Sequence, residues 1–160
     1  MTAAARPTVR PIVPADEAGW RQLWAGYLAF YRQELDPATT QATWRRVLQG
    51  REGMVGRVAE VDGKLVGLLH AVIHANTWAA APVCYLEDLF VDPAARRSGV
   101  GRALIEALAA DGRQAGWRRI YWRTGADNAS AQSLYDRLAR RSRWVTYELD
   151  LADPNAPARG

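Results

Sequence analysis

The chain has 160 residues, 49% of them hydrophobic and 24% charged, with a formal net charge of +4 at pH 7. That length is enough for one domain whose core stands without staples, and a single cysteine, Cys84, excludes an internal disulfide or a thiol-rich metal site. No run approaches the roughly 18 apolar residues that cross a bilayer, and Met1 to Arg10 lacks an apolar signal-peptide core, so a cytoplasmic protein of enzyme size is expected.

Thr8 to Val13 reads as the first strand, and Pro14 opens a helix in which Trp20, Leu23, Trp24, Tyr27, Leu28 and Tyr31 recur at helical spacing. After Asp36-Pro37 a shorter helix carries Trp44, Val47 and Leu48, and Gly50 to Gly53 ends it. Two strands follow, Met54 to Val61 and Lys64 to Asn76, joined by the tight-hairpin dipeptide Asp62-Gly63. A fourth strand covers Val83 to Val91. A glycine-bearing loop then feeds a helix that runs to about Gly116, followed by a strand from Arg118 to Arg123 and a helix from Asn128 to Arg140. In that last helix Ala131, Leu134, Tyr135 and Leu138 share one stripe, as packing on a sheet requires. A closing strand, Arg143 to Leu151, completes the order βααβββαβαβ in a single domain over 1–151, and 152–160, rich in Pro and Ala, is expected to form a flexible tail.

The stretch Arg96-Arg97-Ser98-Gly99-Val100-Gly101-Arg102 stands where the loop meets a helix start. N–H groups there have no intrahelical partners, the helix dipole attracts an anion, and glycine lets the backbone approach a phosphate closely. A G-x-G pair alone defines no ligand. The dinucleotide spacing is incomplete, because Leu104 stands three residues after Gly101, and the lysine and hydroxyl of a P-loop are missing. Arginine pairs (Arg45-Arg46, Arg96-Arg97, Arg118-Arg119, Arg140-Arg141) are scattered without a basic stripe, which suits a polyphosphate ligand at least as well as nucleic acid.

The order of elements and the run Arg96-x-x-Gly99-x-Gly101 resemble the GNAT superfamily of acyl-CoA-dependent N-acyltransferases, whose R-x-x-G-x-G/A loop holds the coenzyme A pyrophosphate. Asn128-x-x-Ala131-x-x-Leu134-Tyr135 is similar to that family's N-x-x-A-x-x-L-Y helix, at the expected distance downstream. Tyr85 to Pro93 and the aromatic run Tyr27 to Tyr31 resemble a subgroup of diamine and yeast histone acetyltransferase-like enzymes that includes polyamine and D-amino acid acetylators. Arg140 to Trp144 departs from the Gly-Phe that follows the tyrosine helix in many members.

The resemblance implies an α/β (α+β) fold with a mixed, mostly antiparallel sheet flanked by helices, acetyl-CoA as cosubstrate, no metal, and a homodimer in which Trp144 to Leu151 pairs across the interface. It implies that Arg96, Arg97, Ser98, Gly99, Val100, Gly101 and Arg102 hold the pyrophosphate. It also implies a fourth strand that splays from the fifth, so that the pantetheine arm pairs with Phe90 and Val91 and a backbone N–H near Leu89 meets the oxyanion. Asn128 would hydrogen-bond the pantetheine or cap its own helix.

An amine attacking a thioester needs its proton removed, a donor for the oxyanion and an acid for the departing thiolate. An alkylammonium of pKa about 10.4 is roughly one part in a thousand free base at neutral pH, so proton removal matters. Glu87 is read as the base, with Asp88 orienting the strand or a cationic substrate; the alternative is that both carboxylates pair structurally with arginines. Period-two alternation puts Glu87 with Tyr85, Leu89 and Val91, and Asp88 with Leu86 and Phe90. Tyr135 is read as the acid. Tyr27, Phe30, Tyr31 and Trp44 are core or lid residues, with Tyr27 and Tyr31 the candidates for contact with a cationic acceptor. His70 and His74 share a strand face but lack a third ligand, and are read as core or rim rather than metal-binding. Cys84 lies too early in its strand to serve as an acyl acceptor, so direct transfer is expected. The acceptor is a primary amine: a polyamine, an amino acid, a protein amine or an aminoglycoside-like compound. A noncatalytic acyl-CoA sensor, a basic nucleic-acid-binding module and a purely structural partner stand as alternatives.

Overall fold

Strands β1 (Thr8–Pro11), β2 (Met54–Val61), β3 (Lys64–His74), β4 (Val83–Val91) and β5 (Ile120–Tyr121) form one sheet in chain order in the computed structural model, which describes residues 6–152. Neighbours are antiparallel except β4 and β5, which run parallel. The helices are α1 (Glu17–Phe30), α2 (Pro37–Gln49), α3 (Val100–Ala115) and α4 (Ala129–Leu138). The chain divides after Trp122 into two units, the first holding the sheet with α1 to α3 and the second holding α4.

Local chemistry sets the boundaries. Asp36 accepts the Ala38 N–H and Pro37 stands in the first turn of α2, while Gly50 at φ 62° closes that helix in the left-handed region. Asp62 (φ 50°) and Gly63 (φ 77°) both take positive φ, which matches the twist of the β2–β3 hairpin.

Cross-strand partners share a sheet face, and the pairings separate two cores. On one side α1 and α2 pack through Trp20, Leu23, Trp24, Trp44 and Val47 onto Val58, Leu68 and Phe90. Trp20 stacks on Trp24 at 5.6 Å and meets Trp44 at 5.1 Å. On the other side α3 buries Val100, Leu104, Ile105 and Leu108. Each such fully buried large side chain contributes about 1.5–3 kcal/mol. A Cβ built on Gly67 would lie 2.9 Å from Val100 Cγ1 and 3.1 Å from Leu104 Cδ1, so glycine there lets the start of α3 sit directly on β3.

The chain matches the expected order βααβββαβαβ up to its last element. Residues 143–151 form no strand: their alternating apolar side chains find no ladder partner among the described residues, and Trp144, Tyr147 and Leu151 stay exposed. Pairing, not alternation, completes a strand. β1 ends at Pro11, since proline brings no N–H to a ladder, and β5 is two residues long rather than spanning Arg118 to Arg123. The expected flexible tail lies, apart from Ala152, outside the described residues.

At the start of the chain the Arg10 guanidinium grips Asp16 at 2.7 and 2.8 Å, and the Val13 N–H donates to the same carboxylate at 2.8 Å. These bonds hold the Asp16 carboxyl below the usual carboxylate range. A carboxyl more acidic when folded than when unfolded stabilises above about pH 4, and that stability is lost as pH falls through the folded value. Asp16→Asn is therefore expected to cost about 1–3 kcal/mol at neutral pH, with the deficit shrinking below about pH 4. Thermal denaturation of both proteins across that range checks it; a deficit undiminished at about pH 3 contradicts it.

Candidate functional site

The loop between β4 and α3 is built from its own hydrogen bonds. The Asp92 carboxylate accepts the Ala94 N–H at 2.9 Å, and a tight turn over Pro93–Ala95 follows. The Ser98 hydroxyl donates back to the Ala95 carbonyl. Arg97 (φ 63°) and Gly99 (φ 84°) both take the left-handed region, which folds the loop into a concave run ending at the first turn of α3. The first intrahelical bond there is Ala103 N–H to the Gly99 carbonyl at 2.9 Å, so the N–H groups of Val100, Gly101 and Arg102 precede the helical ladder. Val100 is buried against the sheet and fixes this helix start. The Arg96 guanidinium lies over the Phe30 and Phe90 rings at 5.8 and 5.9 Å, Arg97 is exposed, and Arg102 pairs with Glu106 at 2.7 Å on the surface.

The strand leading into this loop has one open edge. Pairing of β4 with β5 comprises Cys84 with Ile120 and Tyr85 with Tyr121, and stops there. The Asp92 N–H donates to the Val66 carbonyl of β3 at 2.8 Å. Alternation then turns the main-chain groups of Phe90 toward β3 and those of Leu89 and Val91 away from it, toward the edge that β5 leaves uncovered. Phe90, expected to pair with a pantetheine arm, is thus committed by its backbone to β3 and by its ring to the α1 core; the Leu89 main-chain groups and the Val91 N–H remain, while the Val91 carbonyl accepts from Arg96 Nε at 3.3 Å.

A β-bulge changes the expected facing of the carboxylates. His70 pairs with Asp88 and Ala71 with Leu86, so Glu87 is an extra residue on β4. Because β3 alternates without interruption, His70 and Val72 share a face, and so do their partners Asp88 and Tyr85. Simple alternation would have separated Tyr85 from Asp88; the bulge brings both to the α1 side. Glu87, the bulged residue between Leu86 and Asp88, is exposed, and its charge adds the smallest push on the Tyr27 phenol. Burial, followed by the charge of Asp88, pushes the Tyr27 phenol well above its ordinary value, and the same two causes raise Tyr31.

More of this face comes from the far end of the sheet. The Tyr85 and Tyr121 rings lie 5.0 Å apart, the Tyr121 hydroxyl sits 2.8 Å from His74 Nε2, and the Arg119 guanidinium lies 5.4 Å from the Tyr121 ring. His70 is buried and bonded to Trp20 and Asp88. Both histidines therefore have protein partners. Two carboxylates rimmed by tyrosines make a site for a cation, since carboxylate charge and aromatic faces both attract an ammonium.

In the second unit, Asn128 Oδ1 accepts the Ala131 N–H at 3.3 Å, so its carbonyl caps α4. Tyr135 stands on the half-buried stripe with Ala131, Leu134 and Leu138, as the helical spacing predicts. Sequence reasoning missed the bulge, and with it the company of Asp88, Tyr85 and Tyr121. Glycine and proline, the usual markers of a bulge, are absent from Tyr85 to Val91.

Residues 18–139 match the family described as Acetyltransferase (GNAT) family. A D-amino-acid N-acetyltransferase of Saccharomyces cerevisiae is 32% identical over 145 residues, covering 89% of this chain and 90% of the relative. An aminoglycoside N(6')-acetyltransferase type 1 of Stenotrophomonas maltophilia is 32% identical over 135 residues, covering 82% and 84%. Among solved structures, an aminoglycoside acetyltransferase in complex with the bisubstrate analogue CoA-S-monomethyl-acetylneamine superposes with a TM-score of 0.74 at 25% identity, covering 91% of this chain and 99% of that one. A ribosomal-protein-alanine N-acetyltransferase of Brucella melitensis biovar Abortus 2308 shares the fold, with a TM-score of 0.78 at 20% identity over 91% and 99%.

Cys84 is buried, and that burial, with a smaller push from the Asp111 charge, raises its thiol to about 11. Thiolate is the reactive form, so at about pH 7.5 the native protein is expected to resist iodoacetamide and to take up one adduct only after unfolding in urea. Intact mass checks this; rapid alkylation of native protein contradicts it.

Proposed function

The chain belongs to the acetyltransferase (GNAT) family, and from that premise we propose that its acceptor is a cationic primary amine, held at Asp88 and deprotonated at Glu87. The enzyme is an N-acetyltransferase that moves an acetyl group from acetyl-CoA to an amine. The observation that carries the acceptor class is the bulge, which gathers Asp88, Tyr85, Tyr27 and Tyr31 on one side of β4, with Glu87 as the bulged residue beside them. The relatives named for D-amino acids and aminoglycosides, both bearers of ammonium groups, support it. The family match over 18–139 takes in residues of both units, which supports reading them as parts of one catalytic domain, proposed here over 1–151.

On this reading the residues fit coenzyme A in two places. The N–H groups of Val100, Gly101 and Arg102, with the Arg96, Arg97 and Arg102 guanidiniums and the curve through Ser98 and Gly99, supply donors and positive charge for a pyrophosphate. The outward main-chain groups of Leu89 and the Val91 N–H supply strand-like pairing for the pantetheine, and Asn128 keeps its amide N–H groups for the same arm.

Transfer is then direct, without an acyl-enzyme. Exposed Glu87 takes the ammonium proton, directly or through water, and Asp88 keeps its charge and holds the acceptor. The nitrogen lone pair attacks the thioester carbon, and the oxyanion is met by the Leu89 N–H. As the C–S bond breaks, the Tyr135 hydroxyl gives its proton to the departing thiolate, and the second proton leaving the acylated nitrogen passes through water to the phenolate and restores Tyr135. Buried Cys84 offers no second nucleophile, so both substrates are present together. A cytoplasmic site of action belongs to the same proposal.

The test is release of free CoA from acetyl-CoA with a panel of spermidine, D- and L-amino acids, an aminoglycoside and histone-tail peptides, with product mass locating the modified nitrogen. Glu87→Gln is expected to lower kcat about 10²-fold or more and abolish the rise of rate with pH, and Tyr135→Phe to lower kcat similarly while acetyl-CoA still binds by calorimetry. Full turnover in both variants would refute the assigned roles, and saturable binding without turnover of any amine would leave a sensor.

We further propose a homodimer in which 143–151 of one protomer adds to its partner's sheet. Support comes from the alternation of Val145, Tyr147, Leu149 and Leu151, all exposed and outside any ladder among the described residues. Sedimentation is expected to give a dimer for the full chain and a monomer after deletion of 143–160; an equal mass state for both contradicts it.

A further inference from the structure

A buried polar line runs behind the carboxylates into a core that is otherwise aromatic. Trp20 Nε1–H donates to His70 Nε2 at 2.8 Å, and His70 Nδ1 lies 2.9 Å from Asp88 Oδ2. Trp20 is 0% and His70 2% exposed, and the imidazole is confined by the Trp20 and Trp24 rings at 5.8 and 5.3 Å. An indole nitrogen can only donate, so His70 Nε2 must accept and carries no proton. The ring proton therefore sits on Nδ1, where the acceptor it meets among the described residues is Asp88. The tautomer is dictated by the partners, and the ring meets Asp88 as a neutral donor, leaving the carboxylate its full charge.

The position is as specific as the bonding. His70 is the residue of β3 opposite the bulge, paired to Asp88 across the register shift. A core that only needed filling would take an apolar side chain here, since burying a ring with two polar nitrogens costs free energy unless both are bonded. On the outer side, the Tyr27 phenol lies within reach of the Asp88 charge and Glu87 stands next in the chain.

We propose that His70 is a positioning residue: its Nδ1–H, fixed by the Trp20 indole, holds the Asp88 carboxylate in the orientation that receives the acceptor's ammonium. This rests on the reading of Asp88 as the acceptor's anchor. One Asp88 oxygen is committed to His70, which selects the rotamer, and the Tyr27 phenol lies within hydrogen-bonding reach of the same carboxylate, so the acceptor's ammonium is received by a carboxylate already oriented from both sides. A charge held in place loses less freedom when it binds, so the contribution falls on acceptor affinity rather than on acetyl-CoA.

The test uses the full chain and the fastest-acetylated amine of the panel above. His70→Leu is expected to raise the acceptor KM about tenfold and leave the acetyl-CoA KM within about twofold. His70→Asn, whose amide N–H falls near the former Nδ1–H, recovers most of the loss. In an Asp88→Asn background, His70→Leu adds less than about twofold, because the group it orients is already changed. Independently of any variant's folding, nitrogen NMR of labelled histidine is expected to show the His70 ring protonated at Nδ1 and bare at Nε2, with assignment by loss of the signal in His70→Asn. An unchanged acceptor KM in folded His70→Leu, a full tenfold loss in the Asp88→Asn background, or a ring protonated at Nε2 each overturns the proposal. If Asp88→Asn itself leaves the acceptor KM unchanged, the anchor reading fails and this inference falls with it; if Asp88→Asn is impaired and His70→Leu is not, only the positioning role fails.

Discussion

One extra residue on β4 organises the rest of the molecule. Glu87 opposes no residue of β3, and the slip it introduces reverses the facing of everything before it relative to everything after. Upstream, Cys84 and Leu86 face α3 and Tyr85 faces the α1 side. Downstream, Leu89 faces α3 while Asp88 and Phe90 face α1. Without the slip, Asp88 and Tyr85 would sit on opposite faces and no acidic, tyrosine-rimmed surface would form. The same strand parts from β5 just before the bulge, which leaves the outward Leu89 groups and the Val91 N–H without a strand partner, while Arg96 takes the Val91 carbonyl.

The bulge is held from both sides by unlike forces. Phe90 is clamped in the aromatic core under α1, where a Cβ on Gly26 would come within 2.9 Å of its ring, so the helix and strand are in direct contact. Two residues earlier the hold is polar, through His70 and Trp20. Beyond Val91, Asp92 and Ser98 close the loop with their own side chains, and Val100 seats α3 over Gly67. A rigid strand thus leads into a rigid turn, and the donors of the helix start are presented without needing a ligand to order them.

Much of this was legible in the sequence, for reasons that local chemistry explains. The aromatic stripe of α1, the Asp62-Gly63 hairpin, the Pro37 start of α2 and the span of β4 rest on periodicity and backbone preference, which act within a few residues. The glycine-bearing loop into α3 and the Asn128 to Tyr135 helix were legible as elements because their motif residues sit close together. What escaped depends on partners far away in the chain. The bulge is a property of how β3 and β4 register, and no residue of β4 announces it. His70 was rightly read as a core residue, but its bonds reach Trp20, 50 positions away, and Asp88, 18 positions away. Residues 143–151 were read as a closing strand from their alternation, and that reading failed because a strand exists only where an edge receives it.

The central claim is that β4 presents the main-chain groups of Leu89 and the Val91 N–H, and not the main-chain groups of Phe90, to coenzyme A. Amide hydrogen exchange followed by NMR, with and without coenzyme A, measures this residue by residue. The account predicts that the Leu89 and Val91 amides exchange rapidly in the ligand-free enzyme and become protected on binding, while the Phe90 amide is slow in both states. Protection of Leu89 and Val91 that is unchanged by coenzyme, or a Phe90 amide that responds in their place, would contradict it.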